Sequence, residues 1–131
     1  MSKHSSRILS IAAFFVAVAM SASLAYSAGK IVIVTMTDKP PKYVPETLTI
    51  PVGTTVEWKN TGQTLHDVTT DSSSAVNEKD AKIPPGAETF DSGFMPPGGT
   101  FQYTFKVLGE YTYFCTPHEK DGMIGHIVVT K

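Results

Sequence analysis

The chain has 131 residues, 41 % of them hydrophobic, with eleven basic and twelve acidic side chains and a formal net charge of −1. That length and apolar content suit one packed domain and exclude a disordered tail or a repeat array. The lysines are scattered along the chain rather than clustered, so no basic nucleic-acid footprint is present and no nucleic-acid partner is expected.

The first segment has the layout of a secretory signal peptide. MSKHSSR carries Lys3 and Arg7, ILSIAAFFVAVAM (residues 8–20) is apolar, and SASLAYSA supplies small residues. Cleavage after Ala25, with Ser23 at the −3 position, meets the small-x-small requirement, and a cut after Ser27 is the close alternative. The expected organisation is therefore a signal peptide at 1–25 and a folded domain at 26–131. The competing reading is an uncleaved anchor, because no charge interrupts Ile8 to Ala28, a span long enough to cross a bilayer. A membrane association is expected only if that segment is retained. Its removal leaves nine basic against twelve acidic residues, a net charge of about −3.

From Lys30 onward the pattern is of short strands broken by turn residues, with almost no helical periodicity. KIVIVTM (30–36) is a β-branched run, and the prolines of DKPPKYVP predict a loop after it. TLTI (47–50) and TTVEWKN (54–60) are the next strands, with Val56 and Trp58 on one face. HDVTT (66–70) follows a TGQT turn as a further strand. DSSSAVNEKDAK (71–82) is expected as a loop or one helical turn, AETFDSG (87–93) as a short strand, and FMPPGG (94–99) as a break. TFQYTFK places Phe101, Tyr103 and Phe105 on one face, EYTYFC does the same for Tyr111, Tyr113 and Cys115, and IGHIVVT ends the chain. Seven to eight such strands in about 105 residues predict an all-β fold, a Greek-key antiparallel β-sandwich. In it Cys115 points inward at one end, Pro117 takes the chain out of the sheet, and His118 falls in a loop.

Cys115 is the only cysteine. In an exported chain an unpaired cysteine implies an intermolecular bridge, a reactive thiol or a metal ligand. Taken singly, a cysteine is most often a small buried apolar residue and a methionine a gap-filler. Together, the thiol of Cys115, the imidazole of His118 and the thioether of Met123, on one loop leaving a strand, are the donors that suit copper in a trigonal His₂Cys site with a weak axial Met. A second histidine must come from elsewhere. His4 leaves with the signal segment, and His126 lies in the last strand, which should carry it outward and away from the loop. His66, at the start of a strand after the TGQTL turn, is the better choice.

NTGQTLHDV, followed by GEYTYFCTPHEKDGMIGHIVV, resembles the cupredoxins, and within them the plastocyanin branch, with amicyanin and pseudoazurin as relatives. The C-x-x-H-x-x-x-x-M spacing with an upstream NTGxxxH carries the likeness, and YVPETLTIPVGTTVEWKN extends it over most of the chain beyond residue 25. The resemblance implies one copper per chain, bound by His66, Cys115, His118 and Met123. It implies a monomeric exported protein, in a bacterial periplasm or a thylakoid-lumen-like compartment, that carries single electrons. Redox partner proteins would dock transiently near His118, with Leu65, residues 83–85 and 94–99 and Ile124 as a candidate apolar patch and Glu119 and Asp121 as steering charges. One departure stands out. Relatives commonly have Asn after the first histidine, where this chain has Asp67, whose carboxylate is expected to accept a bond from the Thr116 hydroxyl.

Three rival readings are weaker. A copper enzyme needs a further copper site with more histidines than the domain holds. A copper carrier or storage protein could use the same ligands but favours exposed Met- or Cys-rich sites. A thiol catalyst or redox sensor would use a resolving cysteine or an activating base rather than the Met and the second His.

Overall fold

Strands form where apolar residues alternate with polar ones, and each buries one face against the opposite sheet. The computed structural model describes residues 29–131, so the expected signal segment at 1–25 lies outside the described residues. The strands are β1 (Ile31–Asp38), β2 (Pro41–Val44), β3 (Thr47–Pro51), β4 (Thr55–Asn60), β5 (Thr100–Thr104), β6 (Gly109–Phe114) and β7 (Ile124–Thr130). They form two sheets, ordered β2-β1-β4-β5 and β3-β7-β6. Among the described residues no helix is long and apolar enough to cross a membrane.

The seven strands agree with the expected all-β sandwich, but the sheets are mixed rather than wholly antiparallel. β1 runs parallel to β4 and β3 parallel to β7, while the other three pairings are antiparallel. The cause is chain crossing: after β2 the chain passes to the second sheet for β3 and returns to lie beside β1 in the same direction. Alternation in the sequence tells which face a residue takes, not the direction of its neighbour strand.

A second correction concerns the prolines. The segment read as a loop contains β2, which pairs with β1 from Thr35–Val44 to Asp38–Pro41. β2 is an edge strand with a single neighbour, and Pro41 stands at its first position, where a missing N–H costs no central ladder bond. Conversely, 66–70 and 87–93 are not strands. They make only isolated bridges, His66 to Met95, Thr69 to Asp91 and Thr69 to Phe114. The polar stretch at 71–82 contains two short 3-10 turns, Ser72–Ser74 and Glu78–Asp80, each capped at its N-terminus by Asp71 or Asn77.

The core fills from both sheets. Val34, Met36, Val56, Trp58, Phe105, Tyr113 and Ile127 are fully enclosed. Trp58 lies at its centre, with ring centroids 5.3 Å from Tyr113, 5.8 Å from Phe101 and 5.9 Å from Phe90. Removing an aromatic ring of this kind from a packed interior costs about 3–5 kcal/mol. That rigid aromatic body supports one end of the sandwich, where β6 ends and the histidine-bearing segment crosses it.

Candidate metal centre

Backbone pairing brings the distant segments together. Thr69 and Phe114 exchange both of their N–H···O bonds at 3.1 Å, an antiparallel contact whose register sets Asp67 opposite Thr116 and His66 beside Cys115. On its other side His66 exchanges backbone bonds with Met95, 2.7 Å from the Met95 N–H and 3.3 Å from its own. Both backbone bonds of His66 thus go to Met95, and its segment is tied to β6 at Thr69, although His66 belongs to no regular strand.

The loop from 115 to 123 closes on itself. Strand β6 ends at Phe114, and Pro117 opens a 3-10 turn, Thr116–Asp121, that kinks at His118. His118 N–H donates to the Cys115 carbonyl at 3.0 Å, Cys115 N–H to the Met123 carbonyl at 3.1 Å, and Met123 N–H to the His118 carbonyl at 3.1 Å. Gly122 ends the turn at φ +79°, left-handed backbone that glycine adopts without Cβ strain. The three residues expected from this loop are therefore positioned by one another's backbone.

At the centre, Cys115 Sγ lies 3.6 Å from His66 Nδ1 and 3.4 Å from His118 Nδ1. One donor atom from each of the three residues falls within 4.8 Å of the others. His66, Cys115 and Met123 have no exposed surface, whereas His118 is half-buried. Burial pushes the Cys115 thiol up to about 12, and the negative charge of Asp67 nearby adds to the shift. A thiol so placed does not ionise alone at neutral pH. It needs a cation beside it to become a thiolate. One thiol and two imidazoles that turn the same ring nitrogen toward it, with a thioether on the same closed loop, fit a soft copper ion. His126, as expected, stays outside: it is exposed on β7, its Nδ1 3.2 Å from the Thr112 hydroxyl.

Asp67 is buried and uses both oxygens on Thr116. Oδ2 accepts the Thr116 hydroxyl at 2.6 Å, as expected from the sequence, and Oδ1 accepts its backbone N–H, also at 2.6 Å. The Tyr43 hydroxyl donates to the Asp67 carbonyl at 2.6 Å, tying edge strand β2 to the same point. Two roles were not foreseen. Asp38, at the end of β1, accepts from His66 Nε2 at 2.8 Å. Bonds from the Gln63 amide, the Thr64 hydroxyl and His66 hold its carboxyl well below the usual carboxylate range. Glu119 is not a free steering charge: it is buried, and its two oxygens accept the N–H groups of Val76 and Asn77 at 2.8 and 2.9 Å. The candidate patch also changes. Leu65 and Phe94, half or more exposed, flank the His66–Met95 pairing. Residues 83–85 do not join them, because Pro84 packs against Gly109 at the opposite end of β6.

Comparison with known proteins agrees with this geometry. Residues 21–130 match the model of the copper binding proteins of the plastocyanin/azurin family. The chloroplastic plastocyanin of Chlamydomonas reinhardtii is 37 % identical over 92 residues, 67 % of this chain and 58 % of that relative, so the chain spans less than two thirds of its length. The plastocyanin of Prochlorothrix hollandica is 30 % identical over 134 aligned residues, covering 98 % of this chain and 95 % of its own. Among solved structures, the Cu(I) form of an amicyanin variant superposes with a TM-score of 0.60 at 27 % identity, over 81 % of this chain and 88 % of that one.

Proposed function

The chain belongs to the plastocyanin/azurin family of copper-binding proteins, and on that premise we propose that it is a small exported electron carrier holding one copper at His66, Cys115, His118 and Met123. The observation that carries the reading is the convergence of two imidazoles on one buried thiol, with only His118 open to solvent. Bound copper supplies a one-electron Cu(II)/Cu(I) couple. His66, Cys115, His118 and Met123 are the residues that would hold it.

The chain's own contribution is rigidity and access. His66 is pinned by two backbone bonds to Met95, Cys115, His118 and Met123 are tied within one closed loop, and Trp58 packs against Tyr113 of the strand that leads into it. Donors so fixed change little between the two oxidation states, which keeps reorganisation small. Burial of His66, Cys115 and Met123 excludes water from the sulfur. The half-buried His118 edge is the path by which an electron enters and leaves, and a redox partner docking over it, near the exposed apolar side chains Leu65 and Phe94, would bring its own centre close. A small, short-lived interface suffices for that exchange. Steering by charge falls to Asp121 and the net acidity of the domain, since the Glu119 carboxylate is engaged internally. A delivery protein would present its ligands at the surface, and the enclosure of these favours a carrier of electrons over a carrier of copper. Residues 1–25, read as a signal segment, would direct export and then be removed, leaving the folded part to work as a monomer outside the cytoplasm.

The test is a copper titration of the purified chain, with Cys115→Ser alongside. An intense thiolate-to-copper absorption toward the red, saturating at one equivalent and absent from the variant, is the expected result. A colourless Cu(II) protein would refute the assignment.

A further inference from the structure

The residue that aims His66 comes from a strand the sequence places far from the loop. Asp38 Oδ1 accepts from His66 Nε2 at 2.8 Å and from the Thr64 hydroxyl at 2.8 Å, while Oδ2 accepts the Gln63 N–H at 2.6 Å. The pocket for this carboxylate is built into the fold. The parallel register of β1 and β4 sets Met36 beside Asn60, which brings Asp38 beside Gly62. There a Cβ would sit 2.1 Å from Asp38 Oδ1, so only glycine leaves room for the carboxylate. Asn60 shapes the same turn: its Nδ2 donates to the Thr64 and Met95 carbonyls at 2.8 and 2.9 Å, and its Oδ1 accepts the Gly62 N–H at 2.9 Å. Asn60 therefore joins the Asp38 cradle to the Met95 backbone that also pins His66.

A neutral imidazole carries a single N–H, and an ionised carboxylate only accepts. The contact with Asp38 therefore draws the proton to Nε2 and leaves the Nδ1 lone pair directed at Cys115, 3.6 Å away. Resting on the copper reading above, we propose that Asp38 is the positioning residue of the metal centre: its carboxylate fixes the His66 tautomer and orientation, and its negative charge favours the more highly charged oxidised metal. Carboxylates that orient metal-bound histidines in this way raise ligand basicity, and their loss costs about 10–100-fold in metal affinity.

The experiment compares Asp38→Asn and Asp38→Ala with the parent chain in two arms. In the copper-free protein, above the pH range in which imidazole protonates, the ¹⁵N shifts of the His66 ring should report the Nε2–H tautomer for the parent and a mixture for Asp38→Ala. In the copper-loaded protein, Cu(II) affinity should fall about 10–100-fold in Asp38→Ala. The near-isosteric Asp38→Asn, which keeps the shape should the alanine variant fail to fold, should shift the Cu(II)/Cu(I) balance toward Cu(I) about tenfold, or about 59 mV upward in potential. A His66 that stays wholly Nε2-protonated in both variants overturns the proposal, as does an unchanged or lower potential in Asp38→Asn. Failure of the parent chain to bind copper would instead refute the reading beneath, and the tautomer arm would still decide the role of Asp38.

Discussion

At the scale of single residues, the Cys115 thiol sets the terms of metal binding. Held at about 12 by burial, it keeps its proton at neutral pH, so copper uptake as the thiolate must release that proton. The sign follows directly: raising the pH helps the proton leave and strengthens binding, up to the thiol's own pKa. Apparent affinity should rise about tenfold per pH unit once the imidazoles are neutral, and level off near 12. Competition titrations at two pH values check this, and a pH-independent affinity would mean that the sulfur is not a ligand. Asp67 allows a second test. Asparagine in its place has one carbonyl oxygen for the two Thr116 donors and no charge, so Asp67→Asn should loosen the link between the ligand segments and raise the reduction potential slightly. A lower potential would contradict this role. The loop ligands were legible in the sequence because Cys115, His118 and Met123 lie within nine residues, and their spacing is itself the signal. Asp38 was not, because it reaches His66 only through the parallel pairing of β1 with β4, a contact that no local pattern encodes.

At the scale of elements, alternation located β1, β3, β4, β5, β6 and β7, since each buries one face of a sandwich. The errors have two physical sources. Proline breaks a central strand by removing a ladder N–H, but β2 is an edge strand that tolerates it. The β-propensity of 66–70 was real, but those residues spend their backbone bonds on three different neighbours, at Met95, Asp91 and Phe114, and so make bridges rather than a strand. The ligand loop depends on another element in turn. Glu119 accepts two successive N–H groups, of Val76 and Asn77, and thereby ties the Thr116–Asp121 turn to the polar segment between the two short 3-10 turns. In Glu119→Gln the amide has one acceptor oxygen, and one of those N–H groups loses its partner. The cost should be about 1–3 kcal/mol in the unfolding free energy of the copper-free protein, read from urea denaturation. A variant as stable as the parent would show that the tether is replaceable by water.

At the scale of the whole molecule, the fold encloses three of the four expected ligands and leaves His118 in contact with solvent. The aromatic core holds one end of the sandwich rigid, His66, Cys115 and Met123 have no exposed surface, and the half-buried His118 lines an open cleft with Asp38, Gln63 and Thr64. A site with its sulfur enclosed and one imidazole at the surface is suited to passing an electron through that ring. Cyclic voltammetry of the copper-loaded chain tests that claim most directly. The expected result is a reversible one-electron wave whose oxidised and reduced forms interconvert repeatedly without loss of metal. An irreversible wave, or release of copper on reduction, would contradict it.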